Sequence, residues 1–166
     1  MFKTTAFVLA TAAAASMLAV PLSSQEIVVS ARSSQAFVED VSSDLNSQLR
    51  RMRFDTNWNP TGIVKVRFHA GEDGSPTQIV TYESSGRSRL DREVKRAVSR
   101  IDSLDPLPAA FGPDPVIQAN VIVANSPKQR EKLERKLEAS EAARMASGDP
   151  AERAVLALTM TPRPRS

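Results

Sequence analysis

Residues 62–108, GIVKVRFHAGEDGSPTQIVTYESSGRSRLDREVKRAVSRIDSLDPLP, constrain the fold more than any other stretch of the chain, because consecutive local patterns in them require one another. Val64, Val66, Phe68 and Ala70 alternate with Lys65, Arg67 and His69, the period of a strand with one face in a core and the other in water. Residues 71–74 close a hairpin. Asp73-Gly74 supplies the positive φ of a tight connection, and Pro76 stands where the second strand starts and a missing N–H is tolerated. That strand runs over 77–83 and ends at Ser84-Ser85-Gly86. Ser88 is placed to cap a helix, with Asp91 near the positive end of its dipole. Leu90, Val94, Ala97, Val98 and Ile101 then form one apolar stripe, and Leu107-Pro108 stops the helix. A hairpin with one apolar face and a helix with one apolar stripe are each unstable alone and bury one another.

The flanks extend this unit. Ser33 or Ser34 caps a helix reaching about Arg53, in which Val38, Val41, Leu45, Leu49 and Met52 repeat at helical spacing and Arg50, Arg51 and Arg53 sit at the negative end of the dipole. A linker over 54–61 carries the only tryptophan, Trp58, as a packing anchor. After a proline-containing loop, 116–124 is a third strand with Ile117, Ala119, Val121 and Val123 toward the core and Gln118 and Asn120 toward water. Ile122, on the water side, breaks that pattern. Residues 127–147 form a charged helix with Glu131 and Arg135 paired at i, i+4 and only Leu133 and Leu137 as a strong apolar pair, the composition of a solvated helix. The predicted fold is therefore α+β: a small antiparallel three-stranded sheet packed against helices in the order α-β-β-α-β, followed by a charged C-terminal helix. Residues 34–125 make up the domain, 126–147 the helix and 148–166 a mobile tail with Pro162 and Pro164 between arginines.

Residues 1–24 have the layout of a secretory signal peptide. Lys3 precedes an uncharged run over 4–22 that is rich in alanine and threonine and broken by Pro21. A membrane span needs about 20 apolar residues, so the run predicts export to the periplasm and a mature chain beginning within 21–31, with an N-terminal anchor as the alternative.

In order along the chain, G-x-V-x-V-x-F at 62–68, D-G at 73–74, S-S-G at 84–86, L-D at 90–91 and L-P at 107–108 resemble the C-terminal domain of TonB and its relatives, the periplasmic energy transducers of Gram-negative bacteria. The resemblance implies a sheet whose exposed final strand captures partner segments by strand addition. The candidate partner-binding positions are Val116, Gln118, Asn120 and Ile122, on the edge of the third strand. Residues 25–33, beginning Gln-Glu-Ile-Val-Val-Ser-Ala-Arg, resemble the extended TonB box of outer-membrane receptors, or form an apolar leader that adds to the chain's own sheet. The implied partners are extended receptor segments or that N-terminal segment, with a homodimer and inner-membrane motor proteins left open. The transducers also keep a membrane helix and a long proline-rich spacer; no such spacer is seen ahead of residue 62, which puts force transmission in doubt.

Other functions find little support in the residues. There is no cysteine for a nucleophile or thiolate metal site, and the single histidine, His69, lies on the water face of the first strand with no nameable partner. No catalytic, cofactor-binding or metal-binding residue is predicted, and the chain is read as a non-enzyme. With 22 basic against 19 acidic side chains the charge is too balanced for nucleic acid. The face Arg89, Arg92, Arg96 and Arg100 is read as a solvated helix surface, with an anionic ligand as a weaker alternative. The competing function is an accessory envelope protein that self-associates and transmits no force.

Overall fold

In the computed structural model of the chain, residues 23–52 and 58–162 are described, the side chains of 23–33 excepted. Of the expected signal or anchor at 1–24, residues 1–22 lie outside the described residues. The first helix, α1, is Ser23–Arg50. It starts some ten residues before the expected cap, so the segment read as extended at 25–32 is helical. The β-branched run Ile27-Val28-Val29 favours a strand by propensity, but no glycine or proline interrupts the chain between Pro21 and Pro60, so nothing stops the helix from continuing. Phe37, Val41, Leu45 and Leu49 form its buried stripe.

The hairpin is β1, Gly62–Ala70, and β2, Pro76–Glu83. Its turn needs Gly74: φ is 74°, an added Cβ would lie 3.0 Å from Asp105 Cβ, and Gly74 O accepts from Leu104 N–H at 3.3 Å. Helix α2 is Ser88–Val98, shorter than the apolar stripe; Ile101 is fully buried beyond its end. Its cap also differs from expectation. Arg87 occupies the N-cap position without a side-chain bond. The Asp91 carboxylate instead accepts from the Ser84 and Ser85 hydroxyls at 2.6 and 2.7 Å, and from Ser85 N–H at 3.0 Å, tying the helix to the end of β2. Then come β3, Ile117–Val123, the helix α3, Pro127–Met145, and the short helix α4, Pro150–Ala154. A last strand, β4, is Leu156–Met160.

The sheet has four strands in the order β2-β1-β3-β4. β1 pairs antiparallel with β2 and β3, but β4 runs parallel to β3, pairing Ile117 with Leu156 and Val121 with Met160. The expected three-stranded antiparallel sheet is thus a four-stranded mixed one, and the segment expected to be a mobile tail supplies its last strand. One face, with Val64, Val66, Phe68, Ala119, Val121, Leu158 and Met160, packs under α1 and α2 as the main core. The other is not left to water. Helix α3 lies across it, and Ile63, Ile122 and Leu137 form a second, small core with Leu133 against it. Ile122 is apolar on the supposed wet face because α3 covers it.

Candidate functional site

Leu156 N–H donates to Val116 O at 2.9 Å. In a parallel pair successive residues turn their main-chain groups to opposite sides, so this bond together with the register fixes which residues of β3 face away from β1: Val116, Gln118, Asn120 and Ile122. These are the four expected edge positions. Their main-chain groups do point to the expected side, but the edge is not free, because β4 is paired along it. Gln118, Asn120 and Ile122 are fully buried.

A charged layer holds β4 and α4 in place. Arg67 donates from Nη1 and Nη2 to the two Glu152 oxygens at 2.8 and 2.5 Å, and from Nε to Gln118 Oε1 at 2.9 Å. Its guanidinium carbon lies 3.4 Å from the centre of the Tyr82 ring. Arg144 bonds the Glu152 main-chain carbonyl and, at 2.8 Å, Glu141 Oε2. Lys65, 4% exposed, reaches Glu83 and Glu141 at 3.1 Å and Ser140 Oγ at 2.8 Å. Gln118 donates to Asn120 Oδ1 at 2.8 Å and to Glu141 Oε1 at 3.1 Å. Lys65 and Arg67, read as wet, are thus covered by the C-terminal extension.

The electrostatics follow the geometry. The Arg67 hydrogen bonds hold the Glu152 carboxyl below its usual range, and Glu152 in turn raises Arg67. Burial pushes Glu141 up, but hydrogen bonds from Arg144 and Lys65 outweigh it and the net shift is downward.

The remaining candidates are peripheral. His69 Nδ1 sits 2.6 Å from Asp114 Oδ1 near the surface. Arg89 stacks over Trp58 at 4.4 Å, and Trp58 packs against the main core. Arg96 pairs with Glu93 at 2.8 Å on an exposed face. Among the described residues no group of His, Cys, Asp and Glu could hold a metal ion, and no helix is long and apolar enough to cross a membrane.

Residues missed in the sequence are those of the extension: Glu152, Ala157, Leu158, Thr159 and Met160. Their signal was present but short. Leu156, Leu158 and Met160 alternate with Ala157 and Thr159, a strand period in five residues.

No curated protein and no solved structure matches the chain. Residues 59–122 match the family model described as the Gram-negative bacterial TonB protein C-terminal. The match spans β1, β2, α2 and nearly all of β3, and stops before α3, α4 and β4. Residues 59–122 are thus similar to the C-terminal domain of TonB proteins, over the hairpin, α2 and β3.

Proposed function

We propose that the chain is a periplasmic binding module that captures extended segments of outer-membrane receptors as an added strand on β3, in connection with TonB-dependent transport across the envelope. The observation that carries this reading is the cis strand. Val116, Gln118, Asn120 and Ile122 face β4, an extended five-residue segment with Leu158 and Met160 in the core. An incoming segment with apolar residues at those two registers would replace it in kind, while main-chain bonds would supply sequence-independent affinity. Displacing β4 without such replacement costs about 1.5–3 kcal/mol for each buried side chain, which limits entry to β-prone segments of the right pattern. The tethered strand also competes at high effective concentration.

The experiment is calorimetric titration of a receptor-box peptide against the full chain, a chain ending at residue 154 and Leu158→Pro, which removes an N–H facing β3. Circular dichroism confirms that each variant is folded. The reading expects at least tenfold tighter binding by both variants than by the full chain; no binding by any folded form refutes it.

The same strand favours a second reading, a self-capped structural module of the envelope that captures nothing from other proteins. It is supported if the chain ending at 154 binds a peptide of residues 154–162 but no receptor-box peptide.

A further inference from the structure

With β4 docked, the outermost strand on this side of the sheet is β4 itself, and among the described residues nothing pairs with its outer edge. Leu156 N–H points to Val116, so Leu156, Leu158 and Met160 turn their main-chain groups toward β3 while Ala157 and Thr159 turn theirs outward. The side chains divide in the same way. Leu158 and Met160 are in the core, and Thr159 is exposed on the α3 side. There it lines an open groove with Ile122, Leu137, Glu134, Glu138 and Glu141. The floor is apolar and the wall is acidic. Glu141 is engaged by Lys65 and Arg144. Glu134 and Glu138, one helical turn apart, have no hydrogen-bond or ion-pair partner among the described residues.

The two edges of the sheet are not equivalent. β2 begins at Pro76, its pairing with β1 shifts register twice, and Gln78 has a φ of 51°. Proline and bulges of this kind blunt an edge against further pairing. β4, Leu-Ala-Leu-Thr-Met, contains no proline, charge or bulge that would guard it.

We propose that the outer edge of β4 and the adjoining groove bind an extended partner segment that carries lysine or arginine. Its main chain adds to Ala157 and Thr159. A basic side chain crosses Thr159, runs along the groove and brings its charge to Glu134 and Glu138, the arrangement in which such side chains keep the stem dry and the head wet. Charge complementarity selects this occupant. The chain as a whole is positive, at +3, so the acidic wall is a local reversal. A second copy pairing through the same edge about a two-fold axis would bring two acidic walls together, which disfavours it. This surface exists only while β4 remains on β3, so it is separate from capture at β3.

The test uses the full chain labelled with ¹⁵N and two capped nine-residue probes, one alternating threonine with lysine and one alternating threonine with glutamate. Binding is followed by amide shifts at 50 and 300 mM salt. The expected result is that the lysine peptide shifts Ala157, Thr159 and the 134–141 turns of α3, with contacts between β3 and β4 retained. Affinity falls about twofold to thirtyfold in the double variant Glu134→Gln, Glu138→Gln, as loss of two exposed pairs implies, and falls with salt. Equal affinity for the two probes, no shift with either, or affinity unchanged in the double variant overturns the proposal. Loss of the contacts between β3 and β4 on binding also overturns it, while leaving capture at β3 in force; failure of capture at β3 in the titration above leaves this surface intact.

Discussion

Leu158→Ala separates a docked fourth strand from a mobile tail. Leu158 is 2% exposed and lies in the main core with Met160 at 1%. Removing the outer carbons of the side chain loses about 2.4 kcal/mol of transfer free energy at about 0.8 per CH₂, and an unfilled cavity brings buried Leu→Ala changes to about 2–5 kcal/mol. Here the upper end is out of reach. β4 is joined to the sheet along one edge only and can detach, so the loss cannot exceed the net free energy of docking it. The expected loss is therefore about 2–3 kcal/mol, a lowering of the thermal midpoint by about 5–10 °C for a chain of this size. Thr159→Ala, exposed on the opposite face, should stay within about 0.5 kcal/mol. Thermal unfolding followed by circular dichroism compares the two. Equal midpoints would show that β4 is not part of the cooperative fold.

Two more outcomes follow from the charged layer beneath α3 and α4. Lys65→Ala should cost about 1–3 kcal/mol in urea unfolding rather than nothing, since it strips a buried ammonium from Glu83, Glu141 and Ser140; a silent variant would place Lys65 in water. Glu152 and Glu141 both have carboxyl groups held below their ordinary value of 4.5, so the folded form binds protons less readily than the unfolded one. The stability they contribute is complete above about pH 4.5 and is lost as pH falls through their depressed values. Near pH 3.5 the amides of β4 should exchange faster relative to those of β1 than at pH 7, after correction for intrinsic rates, and Glu152→Gln should flatten that dependence; a ratio independent of pH would contradict the role given to Glu152.

How legible each part was depends on how local its cause is. The hairpin and α2 could be read because alternation in β1, Gly74 at the turn and the stripe from Leu90 to Val98 are each set within a few residues. Ile122 was the one sign in the sequence that the second face would be covered; its partners Leu133 and Leu137 looked too sparse for a packed helix because the rest of that contact is polar, through Lys65 and Glu141. β4 could not be read because its pairing is parallel and joins residues 117–121 to 156–160 across two helices, with no turn chemistry between them to announce it. Alternation divides β3 into two sets of residues, but which set turns its main chain away from β1, and what pairs with it, depends on that long-range pairing. At the N-terminal side, Ile27-Val28-Val29 suggested extension by propensity, and continuity with α1 overrode it.

The central claim is that the edge of β3 accepts extended segments and that β4 fills it in cis. Hydrogen exchange at the Gln118 and Asn120 amides, both facing that edge, tests it most directly. The account predicts slow exchange in the full chain, fast exchange in a folded chain ending at residue 154, and slow exchange again when a receptor-box peptide is added to the shortened chain. Protection that is the same in the full and shortened chains, or that the peptide fails to restore, would contradict it.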